Sequence, residues 1–340
     1  MNAWFKGVLA GVMWVATASP LMAQEVFVLS GPEETIEWFK AEHFWGAEKH
    51  GEQIDVPRVI VVAIPERWQK TARKLTVPVK KEVFYRFMLP LVVHANTMVL
   101  DRRERLKRMQ ETIANGKPLA ENDAAWLREI AVLLRIANRE ETARPLDAKA
   151  LGNIIDQALY KVDVIPAGLA LGQAAYESGY GTSRFAVEGN ALFGQWTFGG
   201  EGLTPEQQRK ALGDHRIASF EWPFDSVRGY FLNLSSHPAY EDFRRLRAER
   251  RAAGKKLSSL ALADGLTNYS ERGQAYVDTL KGIIRKNNLQ IADDAVFRDE
   301  PMRFALGAPD PAGVEKLRAD IEAMRRSGEL ETIIARMRLE

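Results

Sequence analysis

Apolar positions recur at helical spacing along most of the chain. From Val79 onward, Phe84, Phe87, Leu91, Ala95 and Met98 fall three or four residues apart, one stripe along a long predicted helix. Pro90 lies within it and predicts a kink, because proline removes a donor and crowds the preceding turn. The charged continuation DRRERLKRMQETIANG stops at Asn115-Gly116 and reads as a solvated face. A second amphipathic pattern covers 121–137, with Asn122 or Asp123 as its cap. Residues 139–150 read as a turn or linker, and a helix from about Ala148 to Tyr160 follows. Asp225–Leu234, Tyr240–Ala253, Leu257–Leu266 and Gln274–Lys286 continue the helical series. Ahead of it, Glu33–His43 suggests a short helix and VPRVIVVA a β-rich run. Beyond Asp293, Pro301, Gly307, Pro309 and Pro311 break up the tail, which resumes as GVEKLRADIEAMRRSGELETIIARMRLE, where two short helices are predicted.

One stretch departs from amphipathic patterning. In ALGQAAYESGYGTSRFA, residues 170–186, apolar positions nearly encircle a helix that starts at Pro166, so burial on all sides is predicted. A single carboxylate, Glu177, stands at its last turn, just before Gly179 and Gly181. Partial burial and the negative end of the helix dipole both disfavour ionisation there. Both push the carboxyl toward the range a general acid near neutral pH needs. The competing reading is a solvated glutamate, or one paired with Arg184.

Composition narrows the field. The chain has 340 residues, 46% hydrophobic and 27% charged, with a formal charge of +2. That balance gives no nucleic-acid signal. Without cysteine, disulfides, thiolate metal sites and a cysteine nucleophile are excluded. Phosphate-loop, dinucleotide-fold and zinc-protease motifs are missing, and His43, His50, His94, His215 and His237 lack metal-ligand spacing. Neither a metal nor a cofactor is therefore expected. The opening MNAWFKGVLAGVMWVATASPLMAQ has one cation, Lys6, a short apolar stretch and a small-residue cleavage point after Ala23. It reads as a signal peptide over residues 1–23, with an uncleaved anchor as the alternative, and predicts a periplasmic or extracellular protein.

Two clusters accompany Glu177. GNALFGQWTF sets Asn190 and Gln195 among Phe193, Trp196 and Phe198, the mix of amides and aromatic faces that sugar rings require. An aromatic β-hairpin core would use the same residues. TNYSERGQAYV offers Tyr269, Ser270 and Tyr276. The run RRLRAERRAAGKK, from Arg244 to Lys256, is either a solvated helix face or a weak contact for wall polymers or a membrane surface.

Together, AAYESGYGTSRFA, NALFG, FEWPFDSVRGYFLNLSSHPAY and YSERGQAYV resemble the Bax-type glucosaminidases. These belong to the bacterial endo-β-N-acetylglucosaminidases of glycoside hydrolase family seventy-three. The resemblance covers roughly residues 78–290. It implies a mainly α (α+β), lysozyme-like domain with a small β-lobe, between an N-terminal extension (24–77) and a C-terminal helical tail (291–340). It also implies a peptidoglycan hydrolase cleaving after N-acetylglucosamine, acting on glycan strands. In that reading Glu177 is the general acid, Tyr269 the cleft tyrosine, and Ser178, Asn190, Phe193, Gln195, Trp196 and Tyr276 line the sugar groove. Ala191 replaces the family's second asparagine. Residues 197–215 hold two candidates for a second carboxylate, Glu201, which is favoured, and Glu206. A lytic transglycosylase and a non-catalytic glycan-binding scaffold are the alternatives.

Overall fold

The computed structural model describes residues 26–29, 31–46, 53–61, 68, 71–197, 202–204, 216–308 and 311–332. In chain order they form β1 (Val26–Leu29), α1 (Pro32–Ala41), β2 (Asp55–Val56), β3 (Val59–Val61), α2 (Val77–Ala114), α3 (Glu121–Leu133), α4 (Arg139–Ala143), α5 (Ala148–Lys161), α6 (Ala167–Ser178) and α7 (Arg184–Gly189). A small antiparallel lobe follows, of β4 (Trp196–Thr197), β5 (Gly202–Leu203) and β6 (Arg216–Ala218), with β6 in the middle. Then come α8 (Pro223–Ser236), α9 (Glu241–Ala252), α10 (Ser259–Leu262), α11 (Gln274–Lys286), β7 (Val296–Phe297), β8 (Arg303–Gly307) and α12 (Pro311–Ser327). Short stretches of tighter helix at Pro238–Tyr240, Ala263–Tyr269 and Leu289–Asp294 join the later helices. The architecture is mainly α and lysozyme-like, with small sheets.

The apolar stripe explains the place of α2. Val83, Phe84, Met88, Leu91, Val92 and Val99 are all buried, and the helix continues without a break through Pro90. By length and composition α2 could cross a membrane, but 67% of its most apolar window lies inside the protein, as befits a core helix. It packs on α5, α6 and α8.

Two local expectations change. Within the predicted linker, α4 forms because Asn138 and Glu141 build a reciprocal capping box: the Asn138 side chain accepts from the Glu141 N–H, and the Glu141 carboxylate from the Asn138 N–H. In the tail, α12 forms where the first of the two helices is predicted, but the broken stretch ahead of it forms strands. β8 lies between β1 and β3, parallel to both, and β7 pairs in parallel with β2. β1 and β3 carry unpaired backbone edges that only a distant strand can satisfy, and local pattern does not reveal such a partner. Arg303 strengthens the join by donating to both oxygens of Glu42, at 2.7 and 2.8 Å. That hydrogen bonding holds the Glu42 carboxyl below its usual range.

The basic run is a solvated face only in part. Arg244 and Arg247 are each 1% exposed. Arg244 donates to the carbonyls of Leu234 and His237, and Arg247 to those of Asp163 and Lys161. Arg251 makes two bonds to Asp163, Arg250 donates to the Lys256 carbonyl, and Lys256 pairs with Asp294. Helical spacing brings Arg244, Arg247 and Arg251 onto one side of α9, the first two buried and Arg251 at the edge of that side. Arg244 and Arg247 work inside the fold, while Arg245, Arg251, Lys255 and Lys256 remain exposed.

Candidate active site

α6 is apolar on all sides because it is buried on all sides. Ala167, Leu169, Ala170, Leu171, Ala174 and Ala175 are none more than 3% exposed. Its first turn is tied to the Leu289–Asp294 turn by the Gly168 N–H, which donates to Asp293 at 2.9 Å. The helix ends at Gly179 in the left-handed region, φ 58° and ψ 44°, where glycine meets no Cβ penalty. Tyr180 is left-handed too, at φ 59°, which costs a residue with a side chain about 1–2 kcal/mol. Its ring packs edge-on against Phe84 and Tyr85, and its carbonyl accepts from the Trp68 indole at 3.2 Å. The turn after Glu177 is therefore pinned by tertiary contacts.

Glu177 is half-buried at the end of this rigid helix. Burial pushes its carboxyl up to about 7, against a hydrogen bond from Tyr276 that pulls it down. Tyr276, Tyr269 and Tyr240 all feel the carboxylate, and burial with that negative charge pushes their phenols upward. Three neutral phenols thus surround one carboxyl. Arg184, the suggested partner, instead bonds Glu188 at 3.1 Å and the Thr204 carbonyl at 2.9 Å.

The NALFG segment closes the other side. Gly194 has φ +62°, and a Cβ built there would stand 3.2 Å from the Glu177 carboxyl. The neighbouring Phe193 carbonyl accepts from the Tyr269 hydroxyl at 2.9 Å, and the Leu192 N–H donates to Ser226 at 3.1 Å. Gly194→Ala is expected to strain the loop and displace the carboxyl. A displacement of this kind costs about 10²-fold in turnover. Steady-state rates, with circular dichroism as a fold control, check it.

The sequence-predicted residues separate into those that meet at Glu177 and those that build the walls. Tyr269 and Tyr276 stack with ring centroids 5.6 Å apart beside the acid. Tyr276 is 1% exposed, so it serves the carboxyl and is not an open sugar platform. Phe193, also 1% exposed, stacks on Tyr230 at 4.1 Å, which makes it core. Ser178 is fully buried: its hydroxyl donates to the Ala174 carbonyl and accepts from the Gly181 N–H, closing the turn and leaving nothing for substrate. Asn190 is left-handed at φ 49° and donates to the carbonyls of Phe220 and Glu221, which ties the end of α7 to the segment between β6 and α8. Gln195 accepts from Ser226 at 3.2 Å. Ala191 is buried, in keeping with the loss of an amide there. Trp196 begins β4. Glu201 and Glu206 lie outside the described residues.

Sequence reasoning passed over Gly194, Tyr240 and Gln173. Gln173 left a signal: it is the lone amide in an otherwise apolar run of α6, and a buried polar group requires partners.

A helical domain with a small β-lobe and a carboxyl held near neutrality beside it define a lysozyme-like protein. A family model described as mannosyl-glycoprotein endo-beta-N-acetylglucosaminidase matches residues 152–289, the span from α5 to α11 that contains Glu177. Protein bax of Escherichia coli strain K12 is 30% identical over 213 residues, 63% of this chain and 72% of that protein. The chain belongs to the Bax-type glucosaminidase family. No solved structure matches significantly.

Proposed function

We propose that this protein is an exported peptidoglycan hydrolase that cuts the β-1,4 bond after N-acetylglucosamine, with Glu177 as its general acid. The observation that carries this reading is the carboxyl raised to about 7 by burial at the end of a rigid helix. At neutral pH a large share of it is protonated, ready to give its proton to the glycosidic oxygen while an oxocarbenium-like transition state develops. Tyr276, Tyr269 and Gly194 hold the carboxyl in place. Water attacks C1 on the far side, activated by a second carboxylate, for which Glu201 is the candidate. The signal-like residues 1–23 support delivery to the periplasm or beyond.

Incubation with purified sacculi and mass spectrometry of the released muropeptides tests the reading. Products ending in reducing N-acetylglucosamine are expected. Ends of 1,6-anhydro type would make the protein a lytic transglycosylase, and binding without release a scaffold. The pH profile gives a further expectation. A general acid works protonated, so turnover should decline as pH rises through about 7. A profile flat from pH 6 to 9 would remove Glu177 from that role.

A further inference from the structure

Gln173 is wholly buried in α6, one turn before Glu177, and both ends of its amide are engaged. Its Oε1 accepts from the Tyr230 hydroxyl at 2.7 Å, and its Nε2 donates to the Tyr276 hydroxyl oxygen at 2.9 Å. Tyr276 in turn bonds Glu177.

The last member of this row sets the direction of every bond. An ionised carboxylate can only accept, so Tyr276 must donate to it. The phenol oxygen is then left as an acceptor, and Gln173 must present an N–H to it. That choice turns Oε1 toward Tyr230, whose hydroxyl has to donate. Reversing one bond would orphan a buried group elsewhere in the row. Chained bonds of this kind also polarise one another, which makes the Tyr276 hydroxyl a better donor.

We propose that Gln173, locked by Tyr230, is a positioning residue that aims the Tyr276 hydroxyl at the Glu177 carboxyl. Its catalytic meaning rests on Glu177 being the general acid. Tyr230 also stacks on Phe193, next to the Gly194 that abuts the carboxyl, so one side chain steadies both walls. The groups that face Glu177 are Tyr276 from α11, Tyr269 from the Ala263–Tyr269 turn and Tyr240 from the Pro238–Tyr240 turn. The loop side offers Gly194, and the exposed rim carries Arg272 bonded to the Tyr176 hydroxyl. The three phenols are pushed upward, away from neutrality, whereas burial brings Glu177 to about 7.

The test is a carbon-13 NMR titration of the Glu177 side-chain carboxyl in substrate-free protein, assigned by its disappearance in Glu177→Gln. The wild-type midpoint should lie near 7. Tyr276→Phe removes the donor and should raise it most. Gln173→Leu should raise it by about half a unit or more. Tyr230→Phe leaves the amide able to flip and draw the Tyr276 proton away from Glu177, so it should raise the midpoint less. If Tyr276→Phe moves the midpoint while Gln173→Leu and Tyr230→Phe do not, Gln173 is only a satisfied core amide and the proposal fails. Should Gln173→Leu not fold, Tyr230→Phe, which loses one hydroxyl, decides alone. Because the readout needs no turnover, it stands apart from whether Glu177 is the acid, which lysis by Glu177→Gln decides.

Discussion

Glu177→Gln is expected to abolish digestion of sacculi and, in the same protein, to stabilise the fold at alkaline pH. The first effect follows from the loss of the proton donor. General acid catalysis contributes about 10²–10⁴-fold, and the amide has no acidic proton to give. The second follows from linkage. Burial raises the folded carboxyl from 4.5 to about 7, so ionising it costs more in the folded protein than in the unfolded chain. The sign is opposite to that of a salt-bridged carboxylate: stability is lost as pH climbs from 4.5 through about 7. The neutral amide escapes that loss, which amounts to about 3 kcal/mol above pH 8. Thermal unfolding of both proteins at pH 5 and pH 8.5 measures it. The melting temperatures should be close at the lower pH and diverge in favour of the variant at the higher. Equal melting temperatures at pH 8.5 would show that the carboxyl is not held near neutrality, and undiminished lysis would end its role as the acid.

The second large effect is at Asp163, remote from the site. It is 4% exposed and accepts two bonds from Arg251, at 2.8 and 2.9 Å, and one from the Val164 N–H. Burial pulls its carboxyl up, but the hydrogen bonds of Arg251 and the charges of Arg247 and Arg103 pull harder and hold it low. Asp163→Ala leaves the buried Arg247 without its countercharge, and breaking a buried pair from one side costs about 3–5 kcal/mol. The urea midpoint should fall accordingly. Here the linkage has the ordinary sign. The stabilisation is present above the unfolded carboxylate value and is lost as pH falls through the lowered folded one. The variant should therefore lose less stability on acidification than the wild type. A loss of stability below about 1 kcal/mol would mean that water reaches Arg247 in place of the carboxylate.

Much of the helical frame was legible because amphipathic spacing is a local property. The α11 stripe was bounded correctly at Gln274–Lys286, and α6 was recognised as buried from its ring of small and apolar residues. Glu177 could be singled out for the same reason, since a lone acid at the end of such a helix is visible in sequence. What misled was the identity of a residue read without its neighbours. Phe193 looks like a sugar platform until Tyr230 is found stacked on it. Ser178 looks like a ligand until its hydroxyl is found closing a turn. Arg244 and Arg247 look solvated until the carbonyls of Leu234 and Asp163 are brought to them.

By itself the sequence determined most of the helical frame and that one acid would emerge from a buried helix. Local spacing, caps and glycines suffice for that. Tertiary structure alone decided what surrounds the acid. Tyr276 lies 99 positions downstream and Gly194 on a separate loop, and packing sets the burial that moves the carboxyl to about 7. It also decided that β8 would fill the gap between β1 and β3. Burial and strand pairing depend on distant segments meeting, and no local pattern records which ones will.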